Sequence, residues 1–162
     1  MTTKALLDAL ETLIFTTKNP SNANYFTNTS DIKAVDIGNY QMLDKGVNHA
    51  AVLLPGRFSG QDGSYEEVRE EDLLLDIFQR YNADAGTNWD NFTVFRDAVR
   101  DKIKSYPTLN GVTGVSRVLV NADEDPEPIV KGKNPEAGPV FIVQRLRVTI
   151  TQRVAMTAGE YA

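Results

Sequence analysis

Residues 138–154 read GPVFIVQRLRVTITQRV, and their alternation decides the fold. Val140, Ile142, Leu146, Val148 and Ile150 fall on one side of an extended chain, with Gln144 the exception. Arg145, Arg147, Thr149, Thr151 and Arg153 fall on the other. A period of two is the mark of a strand with one buried face. Running from Val140 to Val154, it is far longer than the usual strand of about five or six residues. A strand this long is unlike a bare edge, which invites aggregation, so it is expected in the centre of a sheet or paired with another subunit.

Upstream, Val112–Asn121 reads as a second strand, joined to the last by an acidic, proline-containing loop at 122–138. Before it lies a helix in TNWDNFTVFRDAVRDKIKSYP. Trp89, Phe92, Phe95, Val99 and Ile103 recur at helical spacing and read as a core stripe. Thr87 or Asn88 can cap this helix, Lys102 and Lys104 suit its negative end, and Pro107 stops it. A first helix over Thr3–Phe15 carries Leu6, Leu7, Leu10, Leu13 and Ile14 on one face, and Thr2 or Thr3 can cap it.

Between the helices, Ile32–Ile37 reads as a short strand ended by Gly38, and Asn39–Lys45 as a helical turn closed by Gly46. HAAVLL at 49–54 reads as a strand ended by Pro55-Gly56, and RFSGQDGS at 57–64 as a turn. Glu67–Tyr81 then places Leu73, Leu75, Ile77 and Tyr81 on one sheet face, with Asp76 and Arg80 on the other. The order of helix, strands, helix, strands predicts a single α+β domain over residues 1–162. Its sheet should be mainly antiparallel, with two principal helices packed on one face.

The segment 16–31, TTKNPSNANYFTNTSD, reads as a loop insertion, because Asn, Ser and Thr side chains compete for backbone hydrogen bonds. Tyr25 and Phe26 in its middle either tuck onto the core, the favoured reading, or anchor a partner.

Composition narrows the chemistry. The chain of 162 residues is long enough for a real core, and its zero cysteines exclude disulfides, zinc–thiolate sites and thiol nucleophiles. The net charge of −5 argues against a dedicated nucleic-acid binder. His49, the sole histidine, opens an apolar strand and lacks the partners of a catalytic triad, so it reads as structural. No phosphate loop and no GxGxxG motif is present. Glu66, Glu67, Glu70, Glu71 and Asp72, and then Asp123, Glu124, Asp125 and Glu127, lack calcium-loop spacing and read as solvated charge. No catalytic, cofactor-binding or metal residue is expected, no cofactor is implied and no membrane span is read.

Charge is segregated along the chain. Asp62–Arg80 holds seven acids and two bases, Asn121–Ala137 five acids and two bases, and the stretch from Gly138 is net basic through Arg145, Arg147 and Arg153. Opposite signs on separate segments suit contacts between copies or partners, although solvated faces are the commoner explanation.

The series DIKAVDIGNYQMLDKGVNHAAVLLPG (31–56), FQRY (78–81), KIKSYPTLNG (102–111) and GPVFIVQRLRVTITQR (138–153) resembles the tail terminator, or tail completion, proteins of long-tailed bacteriophages and prophages. The likeness covers nearly the whole chain and lies in element order and local texture; the Asn-rich segment departs from it. It implies a structural virion protein without enzymatic activity. Copies of such a protein, usually six, would form a ring in the tail or neck, assembled in the host cytoplasm. The ring would end the tail tube, meet the tail tube protein and a head-side connector protein, and let DNA pass through its lumen. On that reading Arg145, Arg147 and Arg153 form one side of the subunit contacts. Asp123, Glu124 and Asp125 supply the complement or line the lumen, and Tyr25 and Phe26 are further candidate contacts. Another connector, a minor capsid or tail-tube component, a monomeric binding module, and a small metal-dependent α+β enzyme are the competing readings.

Overall fold

The computed structural model describes residues 3–29, 31–40, 47–62, 66–82, 86–130 and 139–155. The elements run α1 (Thr3–Phe15), β1 (Val35–Ile37), β2 (His49–Asp62), β3 (Glu66–Arg80), α2 (Asn88–Lys104), β4 (Val115–Ala122), β5 (Glu127–Val130) and β6 (Pro139–Ala155). They form one α+β domain with a six-stranded sheet in the order β1-β2-β3-β6-β4, and β5 also pairs with β6. All pairings are antiparallel except β1 with β2.

The long terminal strand is central. β6 pairs with β3 from Glu66↔Ala155 to Arg80↔Phe141, and its other edge is shared by β4 and β5. Both helices lie on one face of the sheet. Leu6, Leu10, Leu13 and Ile14 of α1 and Phe92, Phe95, Val99 and Ile103 of α2 form one core with Leu73, Leu75, Ile77, Ile142, Leu146, Val148 and Ile150. Gln144 shares that face and is buried, its Nε2 donating to the Glu124 carbonyl at 2.9 Å.

Several expectations change. β2 does not stop at Pro55-Gly56 but bulges between Pro55 and Phe58 and continues to Asp62, so 57–62 is strand rather than turn. A side chain at Gly56 would overlap the Asp72 carbonyl, which is why the bulge carries glycine. The acidic loop contains β5, whose Pro128 is tolerated because the strand lies at an edge. Val35 and Val115, rather than Ile32 and Val112, begin their strands. Trp89 is 45% exposed, and Asn88 takes the buried position one residue earlier. Asn88 donates from Nδ2 to the Asn82 carbonyl at 2.7 Å and accepts from the Asn82 amide at 2.9 Å, closing the connection from β3. Thr87 precedes α2 without a capping side-chain bond, and Thr3 lies inside α1, its hydroxyl donating to Glu71 Oε2 at 2.8 Å. The expected helical turn at 39–45, beyond residue 40, and the acidic loop at 131–138 lie outside the described residues, as does Thr2.

Residues 16–29 are ordered by local bonds. Asn19 Oδ1 accepts from the amides of Ser21 and Ala23, at 2.9 and 3.0 Å, and Lys18 bridges to Asn24. That turn feeds Tyr25 and Phe26 onto the core.

Candidate functional site

Among the described residues, no helix covers the second face of the sheet. Strand alternation puts Asp72, Leu74, Asp76, Phe78 and Arg80 of β3 there, against Phe141, Val143, Arg145, Arg147 and Thr149 of β6. At one end Phe78 and Phe141 join Ala50 and Val52 in a small apolar cluster. Toward the other end the face is polar and closely paired.

Asp76 and Arg145 are direct cross-strand neighbours. The guanidinium donates from Nε to Asp76 Oδ1 at 2.7 Å and from Nη2 to Oδ2 at 3.0 Å, a two-pronged bond. Tyr40 adds a hydroxyl donated to Asp76 Oδ2 at 2.9 Å, and its ring meets Phe78 edge-on. Asp76 is only 6% exposed, so these donors replace its water. The bond to Asp76 raises the already high pKa of Arg145 further. Burial, and then the hydrogen bond to Asp76, push the Tyr40 phenol up to about 12. One step along, Thr149 Oγ1 donates to Asp72 Oδ1 at 2.7 Å. Arg147 donates from Nη2 to Asp123 Oδ1 and lies 3.9 Å from Asp72 Oδ2. The Asp123 and Glu124 amides both bond the Arg145 carbonyl, which seats the end of β4 over this row.

The expected contact residues therefore separate. Arg145, Arg147 and Asp123 are brought together, but they neutralise acids and bases of the same chain, so the strand does not present the uncompensated basic face expected of it. Arg153 is exposed at the end of β6, with its amide bonded to the Gly114 carbonyl. Glu124 and Asp125 are exposed and line a shallow cleft with Tyr40, Asp76 and Arg145. Phe26 is fully buried against Phe95, which removes it as a partner anchor. Tyr25 is half-buried, its ring 4.9 Å from both His49 and Phe95. Burial lowers the His49 pKa, against the opposing effect of its hydrogen bond with Gln79.

Glu71 is buried beneath α1 rather than solvated. Asp72 is half-buried on the other face, so alternation splits the first acidic cluster. Among the described residues no group of three His, Cys, Asp or Glu is placed to hold a metal ion, and no helix is long and apolar enough to cross a membrane.

Two strand edges complete the surface. β1 covers β2 only from Ala51 to Leu53, and the Gly38 amide bonds the Leu53 carbonyl just beyond. From Leu54 to Asp62 the outer edge of β2 has no partner strand among the described residues. β4 is the opposite edge. The two lie at the same level, since Phe58, Glu71, Ile150 and Val118 form one row across β2, β3, β6 and β4. Each edge exposes one large apolar side chain, Phe58 at 53% and Leu119 at 38%.

Asp76 was legible as a polar position of β3, whereas Asp72 was read as solvated charge, and the partners of both depend on register, which no local pattern states. The open stretch of β2 was hidden because Pro55-Gly56 reads as a stop. No protein-family model matches the chain, and no curated protein matches it in sequence.

Proposed function

We propose that this chain is a structural subunit whose copies close head to tail into a ring, acting as a tail terminator that caps a phage tail tube and meets a head-side connector. The supporting observation is the pair of edges at one level on opposite sides of the sheet that have no partner strand among the described residues. The β4 edge of one copy can pair with the distal β2 edge of the next, a heterologous contact of the kind that forms rings when its rotation closes. Such pairing would also remove two exposed edges that otherwise invite disordered aggregation. The number of copies, six, and the tube and connector as partners are taken from the family likeness.

The test uses two surface variants, Leu119→Lys in β4 and Phe58→Lys in β2, each spoiling one edge. Surface changes of this kind alter stability by about 0.5 kcal/mol or less. Light scattering after size exclusion should find a closed oligomer for the wild type and monomers for each variant. An equimolar mixture should give dimers, because each variant keeps the edge the other lacks. A wild-type chain that stays monomeric, or a mixture no heavier than its parts, would overturn the reading.

A further inference from the structure

Where β2 begins and β3 ends, a cleft of about 740 Å³ opens between these strands, the Asn-rich segment and the first turns of α2. A second cleft of about 290 Å³ shares Tyr25, Asn48 and His49 with it, so the two form one groove divided by those side chains. The larger arm lies within the usual range of ligand sites, about 300–1,000 Å³.

The lining is unlike the rest of the surface. In a chain with 24% charged residues, no Asp, Glu or Lys lines it among the described residues. His49 is held toward its neutral form by burial. Among the described lining residues Arg80 is the one permanent charge, and its guanidinium lies 4.9 Å over the Phe141 ring, on the face of the sheet away from the helices. What remains is mostly amide and hydroxyl groups. The floor is fixed in place, with Gln79 Nε2 donating to the Asn88 carbonyl at 3.2 Å and Asn88 tied to Asn82. At the rim, Asn24, Asn48 and Asn91 are exposed.

These features select a ligand class. Side-chain amides donate and accept at one group, which matches hydroxyls that do the same. A phosphate-bearing ligand would need clustered cations, and none line the groove among the described residues. A peptide added as a strand would need an open edge, but here the edge of β2 is taken: the Ala51 amide bonds the Ala34 carbonyl at 2.9 Å and β1 follows. Tyr25 and Tyr81 supply the apolar ring surface that a sugar's C–H groups can cover. We propose that this groove binds a neutral oligosaccharide, its hydroxyls bonded by the rim amides and its rings seated on either side of Tyr25. The site is independent of ring formation, because its lining lies on neither the β4 edge nor the distal edge of β2.

The test is a titration of the isotope-labelled chain, followed by NMR of its side-chain amides. The probes are maltotriose, cellotriose and chitotriose, with a sulfated oligosaccharide and an uncharged Asn/Ser-rich peptide beside them. At least one neutral trisaccharide should shift the Asn24, Asn48 and Asn91 amides saturably, with a Kd at or below about 1 mM. The double variant Asn48→Ala/Asn91→Ala should weaken that binding at least about tenfold while melting as the wild type does. The proposal fails if none of the neutral sugars shifts these amides by about 10 mM, if the double variant binds equally well, or if the peptide or the sulfated sugar binds there in preference.

Discussion

Replacing Arg145 by Met should destabilise the isolated subunit, whatever its effect on assembly. Among the described residues the guanidinium supplies two of the three donors to Asp76, leaving only the Tyr40 hydroxyl once it is gone. Breaking a buried ion pair from one side costs about 3–5 kcal/mol, chiefly because the surviving charge stays buried. Asp76 meets that condition at 6% exposure, but the Arg145 side chain is 30% exposed and partly screened by water. The expected loss is therefore at or below the lower end of that range, about 2–3 kcal/mol. For a chain of this size each kcal/mol moves Tm by roughly 2–4 °C, so the fall should be about 4–12 °C. The double variant Asp76→Leu/Arg145→Met removes both charges and should recover to within about 1 kcal/mol of the wild type. Urea unfolding at neutral pH, supported by calorimetry, reads all three proteins. A single-variant loss under about 1 kcal/mol, or a double variant worse than the single, would refute the account of Asp76 as a buried carboxylate dependent on Arg145. The same geometry makes Arg145→Glu a poor probe of subunit contacts, since it would set one carboxylate against another.

Acid should weaken the fold through His49. Its folded pKa lies below the ordinary 6.5, so the unfolded chain takes the proton first. The associated stability is full above that value and falls as pH drops through it toward the folded pKa. His49→Phe should flatten this part of the curve of urea midpoint against pH between about pH 8 and 5, and an unchanged slope would count against it. At the entry to β4, Gly114 has φ +84, and an added Cβ would overlap the Arg153 carbonyl. Gly114→Ala should cost more than the roughly 1–3 kcal/mol of backbone strain alone, whereas Gly111→Ala, at φ +87 with open space around it, should show strain only; equal losses in urea would remove the steric argument.

Elements that bury one face against many neighbours were legible in the sequence. α1 was read with its observed boundaries, and β6 was read to within a residue at each end, because most apolar positions in each report one face. Failures occurred where one polar contact outweighs the pattern. Trp89 fits the helical stripe as well as Asn88 does, but Asn88 is the side chain that closes the β3–α2 connection, and it turns Trp89 outward. Pro55-Gly56 reads as an end because glycine and proline end most strands. Only the close passage of the Asp72 backbone shows it to be a bulge within one. β5 was hidden because its only partner among the described residues is the first part of β6, and its own Glu-Pro-Ile-Val has no period to read. The pairing of the β6 arginines was hidden for a related reason: segregated charge along a chain becomes matched charge across an antiparallel sheet.

That matching gives the polar face a task within the subunit. The helix-facing sides of β3 and β6 are mostly Leu, Ile and Val, interrupted by buried Glu71, Gln79, Gln144 and Gln152, and sliding one strand by two residues would keep the same faces buried. The core therefore fixes which face is inward more strongly than it fixes register. The polar face discriminates better. In the observed register Asp76 meets Arg145, Asp72 meets Thr149, and Arg80 lies over Phe141. A slip of two residues in one direction would set Asp76 opposite Val143 and bury its carboxylate without a charge partner. In the other direction Asp76 would meet Arg147 instead, but Phe78 would face Arg145 and Arg80 would lose Phe141. Burying an unpaired carboxylate costs several kcal/mol, comparable with the whole stability of many domains. Arg145 is thus accounted for by strand alignment, and aligned strands are what place the β4 and distal β2 edges at one level. On this view an interface between copies would depend on these charges indirectly, through the position of the edges they fix.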